Sequence, residues 1–503
     1  MPSIDSAPVK IDYDAYLSWE SKNRQRSGLK ALRPYFDRPG MISLGGGYPH
    51  PETWPVNGMT LSLPFVGKSV FVPGYEGASP DKLLPLAEYV SPLKSEPLNP
   101  DLTRELQYGT GFGAPHFLSW LKEHVSRVHN PPYADWDVLN TAGNTDGVDG
   151  VLRSCVDRGD SILLEEFAYP GVLTGAASAG IKCVGVPMDG DGITATALDT
   201  IMAEWDEAER GSPRPKLLLL VPTCSNPTGA TVPVYRKREI YAVCRKWSLL
   251  IIEDDPYYFL QIRPDGAASR PIPSFLSMDV DGRVIRVDSF SKIVAPGSRC
   301  GWLTGPSALI GKIMNSREGS TQSPSGFSVA AITAILRAWG SHEGFESRYL
   351  PHISEIYSKR CLLFISFLEK YVPRAAAEWP EGSGGMFLWL RLKIDSHPSF
   401  VPSPNGNNGD NGDSGDSGDA HHLAGSSPSP DEIAQKVFES LIEEGVLTAP
   451  SKLFKAPGGP EWSKDEQADR VFVRLSFSFP ARDEMEEGVK RLGRALRKEW
   501  KLD

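Results

Sequence analysis

The chain has 503 residues, 40% of them hydrophobic and 23% charged, with a formal net charge of −10. That length supports a sizeable core and two or three domains without disulfide or metal staples. The acidic balance excludes a general affinity for nucleic acid or anionic membrane, and leaves room for a local pocket that holds one small anion.

Residues 1–40 are polar and read as an arm, residues 41–49 form a short apolar run ending in a glycine turn, and residues 50–105 are rich in Pro, Ser and Gly with weak periodicity. The spacing predicts an amphipathic helix over 117–128. Four short apolar runs follow, at 161–164, 216–221, 249–252 and 284–287, with helical stretches such as 148–155 and 234–246 between them. Short apolar runs alternating with helices predict buried parallel strands in an α/β fold. Ligands of open α/β sheets sit at the carboxyl ends of the strands, so the residues closing the runs, Glu165, Thr223, Glu253 and Asp288, mark an expected pocket rim. Helices are expected at 327–339 and 346–370, then a strand at 386–392. Residues 396–430 have almost no large apolar side chains and are expected to be a disordered loop. Its Asp and Asn residues lack a twelve-residue loop closing on Glu, so no metal site is expected. A helix at 433–444 and a strand at 471–479 complete the pattern.

Cys155, Cys183, Cys224, Cys244, Cys300 and Cys361 show no CxxC spacing. Neither a zinc ribbon nor a thioredoxin-like centre is expected, and the count fits a reducing compartment. The opening residues lack a basic stretch followed by an apolar run, and no apolar run reaches about 18 residues. The expectation is a cytoplasmic protein with no signal peptide and no membrane span.

Four segments carry residues capable of chemistry. In Val287-Asp288-Ser289-Phe290-Ser291-Lys292, a lysine follows a buried strand between small hydroxyl residues; a partly desolvated lysine has a lowered pKa and can form a Schiff base. Arg299, seven residues on, can hold a phosphate. Taken singly, the two also read as a loop lysine and a surface arginine. In Glu253-Asp254-Asp255-Pro256-Tyr257-Tyr258, consecutive carboxylates are costly to bury without a cation. Magnesium is one partner, but no GxxxxGK[ST] loop accompanies it, and a cationic heterocycle suits a single buried aspartate better. Tyr258, three residues after Asp255, can face the same ring. Cys224-Ser225-Asn226-Pro227-Thr228-Gly229 makes a tight turn that offers the Asn226 amide to the pocket. Thr141-Ala142-Gly143-Asn144-Thr145-Asp146-Gly147 enters a helix, whose N-terminus is both a capping site and an anion site; GxGxxG spacing is absent.

Ser225-Asn226-Pro227-Thr228-Gly229, then Asp254-Asp255-Pro256-Tyr257-Tyr258, then Ser289-Phe290-Ser291-Lys292 with Arg299 occur in that order. The ordered set resembles the fold-type I aminotransferases that use pyridoxal 5'-phosphate (PLP), in particular the fungal aromatic amino-acid and the kynurenine/2-aminoadipate aminotransferases. The likeness runs over about 27–479. It implies a three-layer αβα large domain with a mostly parallel sheet at 91–315, a smaller α+β domain at 316–503, and an N-terminal arm and substrate-covering segment at 1–90.

The resemblance implies that Lys292 carries the cofactor, that Asp255 pairs with its pyridine nitrogen, and that Asn226 and Tyr258 bond its phenolic oxygen. Tyr169 would stack on the ring. Asn144, Thr145, Ser289 and Arg299 would hold the phosphate, joined by Tyr108 from a neighbouring subunit, which implies a homodimer with shared active sites. Arg474 would grip the substrate α-carboxylate, Gly47 would let the N-terminal segment pass over the substrate, and Lys30 falls where aminoadipate-type relatives can carry arginine. The implied activity is ping-pong transamination of phenylalanine, tyrosine or tryptophan, with kynurenine or 2-aminoadipate as extras, onto 2-oxoglutarate. Two rivals are another outcome on the same cofactor, a C–S lyase or a synthase, and a PLP-binding regulator. The regulator would carry an N-terminal winged-helix domain with a basic recognition helix, which this sequence lacks.

Overall fold

A computed structural model describes residues 7–24, 58–61, 63, 87–90, 102–262, 271–403 and 428–503. Lys30, Gly47 and residues 404–427 of the expected loop lie outside them. The chain divides into two compact units: Met1–Lys359 with Ser383–Gly385 and Lys455–Gly459, and Arg360–Gly382 with Met386–Phe454 and Pro460–Asp503.

The first unit is built on a seven-stranded sheet. Its strands are β1 (Trp136–Thr141), β2 (Ser161–Glu165), β3 (Lys182–Val186), β4 (Leu217–Leu220), β5 (Leu250–Asp254), β6 (Val284–Ser289) and β7 (Gly301–Pro306). Their spatial order is β1-β7-β6-β5-β4-β2-β3. Neighbours from β6 to β3 run parallel, while β7 is antiparallel to both β6 and β1. The four apolar runs form β2, β4, β5 and β6, side by side in the sheet and buried throughout. The other three strands go beyond the expected four. Their apolar pattern is broken, by Asn140 in β1, by Lys182 and Gly185 in β3, and by Gly301 and Pro306 in β7.

Helices α1 (Pro115–Val128), α2 (Asn144–Cys155) and α3 (Val234–Lys246) match the predicted helical stretches. Leu164, Leu219, Leu250, Ile252, Ile285 and Val287 share one core with Val148, Val151 and Leu152 of α2. Burying each such side chain contributes roughly 1.5–3 kcal/mol. α2 can approach the sheet because of Gly147, where a Cβ would lie 2.9 Å from Val287 Cγ1. Side chains two apart on a strand share a face. Asp254 therefore continues the row of Leu250 and Ile252, on the side of α2. Glu253 and Asp255 take the other side.

Residues 7–24 form no loose arm. Tyr16 and Leu17 enter the same core, and Tyr16 Oη donates to Ser248 O at 2.8 Å. These two apolar side chains anchor an otherwise polar stretch.

The second unit is α+β. Its antiparallel sheet contains β8 (Ala377–Glu378), β9 (Phe387–Leu392), β10 (Ala449–Pro450) and β11 (Phe472–Ser476) in the order β8-β9-β11-β10. The border between the units falls inside α4 (Leu350–Tyr371). α5 (Pro430–Glu443) starts on a capping box formed by Ser429 and Glu432, and α6 (Arg482–Trp500) ends the chain.

Candidate active site

The parallel strands end together, and the residues that follow them converge. A 3₁₀ turn, Phe290–Lys292, continues β6. It leaves Lys292 half-buried, with Nζ 5.9 Å from the centre of the Tyr257 ring.

The entry to α2 forms an anion cradle. Gly143 sits at φ +94°, a conformation that glycine adopts without strain, and a Cβ there would lie 2.5 Å from Arg299 Nη2. Arg299 donates from Nη2 to Ala142 O at 2.7 Å and from Nη1 to Ser291 Oγ at 3.3 Å. Ser289 Oγ donates to Ser291 Oγ at 2.7 Å. A guanidinium, two hydroxyls and a helix N-terminus thus meet, and Thr145 is exposed in that same first turn. Asp146 does not oppose an anion there with a bare charge. Its Oδ1 pairs with Arg317 Nη1 at 2.5 Å and its Oδ2 accepts from Ala142 N at 2.7 Å.

Asn144 joins this turn to the strand ends. Its Nδ2 donates to Asp254 Oδ1 at 2.5 Å and to Val287 O at 3.0 Å. Burial pushes the Asp254 carboxyl up to about 6, against the pull of the Asn144 hydrogen bond.

Asp255 and Tyr258 depart from the expected arrangement by one residue. Asp255 Oδ2 accepts from Thr223 Oγ1 at 3.0 Å and from Arg286 Nη1 at 2.9 Å. The Tyr258 ring lies under the same guanidinium, 4.7 Å from Arg286 Cζ, and against His129. Both face away from α2. The acid on the Asn144 side is Asp254, and the tyrosine beside the Lys292 amine is Tyr257. The cause is strand alternation: each tyrosine stands three residues after one of the two aspartates, so spacing alone cannot choose between the pairs.

Glu253 and Asp288, from the expected rim, are tied to Arg286. Glu165 is buried, accepts from Val221 N at 3.2 Å, and is pushed up to about 8 by burial. Asn226 is buried in the tight turn after β4, which closes through Gly229 N to Ser225 O at 2.7 Å. Tyr169 precedes a helix at Pro170–Ala179 and is 41% exposed; Tyr108 is 56% exposed. Arg474 lies in the second unit, on β11, its Cζ 4.4 Å from the Phe387 ring and 4.9 Å from the Phe454 ring.

The donor set fits PLP. Asp254 is a buried carboxylate that a cationic ring nitrogen would neutralise. Asn144 Oδ1 is buried with no hydrogen-bond partner among the described residues. Lys292 stands at a strand end, beside a cradle shaped for a phosphate.

A mostly parallel sheet with a lysine, an acid and an anion cradle at its strand ends defines a PLP-dependent transferase of fold type I. The chain belongs to the class I and II aminotransferase family, whose profile matches residues 94–492. It is 33% identical to an aromatic amino acid aminotransferase of Schizosaccharomyces pombe over 97% of this chain and 98% of that protein. It is also 33% identical to an L-tyrosine:2-oxoglutarate aminotransferase of Tapinella panuoides, over 89% and 88%. The crystal structure of an aminotransferase from Candida albicans superposes with a TM-score of 0.82 at 33% identity, covering 98% of this chain and 100% of the other. Among the described residues no helix is long and apolar enough to cross a membrane.

Proposed function

We propose that the protein transfers the amino group of aromatic L-amino acids (phenylalanine, tyrosine and tryptophan, with kynurenine and 2-aminoadipate as further donors) to 2-oxoglutarate. The observation that carries the reading is the meeting of Lys292, Asp254 and the Arg299 cradle at one set of strand ends. The choice of aromatic donor and of acceptor is supported by the activities named for the relatives.

PLP supplies an electron sink for the negative charge left at the substrate Cα. Lys292 Nζ would hold the cofactor, and its free amine is the base that would take the substrate Cα proton and return it. Asp254 pairs with the pyridine nitrogen and keeps it protonated. Asn226 and Tyr257 are assigned to the phenolic oxygen, Tyr169 to the ring face, and Asn144, Thr145, Ser289 and Arg299 to the phosphate. Arg474 offers its fork to the substrate α-carboxylate. Tyr108 reaches the phosphate of a second subunit in a homodimer. Gly47 and Lys30 keep the roles that the family resemblance implies. A cytoplasmic location is supported by the six buried cysteines, which no disulfide joins.

Incubation with phenylalanine and 2-oxoglutarate tests the reading. Equal amounts of phenylpyruvate and glutamate are expected. Ammonia or pyruvate without glutamate would assign the chain to a lyase instead.

A further inference from the structure

Behind the proposed cofactor acid, on the opposite face of β5 and β6, lies a buried charge cluster that the transamination chemistry does not use. Arg286 is its centre. It stands opposite Glu253 in the strand register and is fully buried. Nη1 lies 2.9 Å from Asp255 and 3.2 Å from Glu253, while Nη2 and Nε bind Asp288 at 2.8 and 2.9 Å. Glu253 also accepts from Phe275 N and Leu276 N. From α3, Lys237 contributes a second buried cation, whose Nζ donates to Pro273 O at 2.7 Å. Two histidines of the α1 segment, His124 and His129, are buried nearby, and burial holds both below the ordinary imidazole range, so they add no charge near neutrality. Fully ionised, three carboxylates face two cations.

Asp255 is the chain neighbour of Asp254. Its carboxylate repels charge on Asp254, and the Arg286 guanidinium opposes that repulsion. A lysine in place of Arg286 could not span three carboxylates, because an ammonium lacks the planar fork. Arg286 also pins the Asp255 carboxylate and the Tyr258 ring, and so fixes the turn that leaves Asp254 and Tyr257 on the opposite side.

We propose that Arg286 is the positioning residue of the cofactor acid: by gathering Glu253, Asp255 and Asp288 on the far face of the sheet, it keeps Asp254 ionised toward the ring nitrogen of PLP. This rests on the assignment of Asp254 as the ring-nitrogen partner. Arg286 itself touches neither cofactor nor substrate.

The test uses the visible absorbance of the PLP-loaded full chain as a function of pH. Arg286→Met removes the compensating cation. It should move the absorbance midpoint to higher pH by about one unit and weaken PLP binding about tenfold. Arg286→Lys, which restores charge without the fork, should recover part of the shift. Asp255→Asn removes the repelling charge and should move the midpoint the other way, to lower pH, with PLP retained. Opposite signs are not expected of a purely structural role. Folded Arg286→Met with an unchanged midpoint and PLP affinity overturns the inference. If that variant does not fold, an Asp255→Asn midpoint that fails to fall overturns it equally. Failure of the underlying assignment looks different: Asp255→Asn would lose PLP while Asp254→Asn kept it.

Discussion

Asn144 Nδ2 donates to Asp254 Oδ1 at 2.5 Å, so the residue that opens helix α2 also orients the acid at the end of β5. One side chain thereby links the turn proposed to bind phosphate to the acid proposed for the ring nitrogen. Deleting the donor raises the Asp254 pKa beyond about 6, because the bond favours the ionised form. A hydrogen bond to a charged group contributes about 1.5–3 kcal/mol. Asn144→Ala is expected to lower kcat/KM by roughly ten- to a hundredfold, measured with phenylalanine and 2-oxoglutarate. Unchanged kinetics would remove Asn144 from the site.

The pH dependence of the PLP-free protein follows from the same carboxyl group. Asp254 titrates at about 6 when folded and at 3.8 ordinarily, so between these values the folded state binds more protons than the unfolded one. Stability contributed by the protonated acid is therefore lost as pH rises through that window. Asp254→Asn has no such loss. Relative to wild type it should gain stability from pH 4 to 6, by at most about 1.4 kcal/mol per pH unit. Urea unfolding of both proteins across this range checks the sign, and parallel curves would contradict it.

Arg317 serves the anion cradle by holding Asp146, to which it is paired at 2.5 Å from a largely buried position. Without it, the Asp146 carboxylate stands uncompensated in the turn proposed to bind phosphate. Arg317→Ala should weaken PLP binding several-fold, and the added change Asp146→Asn should restore most of it. Equilibrium titration with PLP measures both, and no recovery in the double variant would show that Arg317 acts otherwise.

The middle of the sheet was legible because β2, β4, β5 and β6 are nearly continuous apolar runs. β1 was not, because Asn140 is polar yet buried, its Nδ2 donating to Gly301 O at 2.7 Å on the neighbouring strand. Ser289 and Lys292 could be picked out because they close or follow a buried strand, Asn144 because it opens a helix, and Arg299 because it stands seven residues after Lys292. The sequence reading chose Asp255 with Tyr258, where the geometry favours Asp254 with Tyr257. A continuous apolar run carries no alternation from which to read the phase, and the paired tyrosines repeat the same spacing. The strand phase became visible only with the shared core of Leu250, Ile252 and α2. Arg286 gave no signal either: it lies inside a run read only as a buried apolar strand, yet it is the centre of a buried charge cluster.

Borohydride reduction of the PLP-loaded protein, followed by mass mapping of the labelled peptide, reports most directly on where the cofactor is attached. The account predicts a single pyridoxyl label on Lys292 and none in Lys292→Ala. A label on another lysine, or a Lys292→Ala protein that keeps both the label and full turnover, would contradict it.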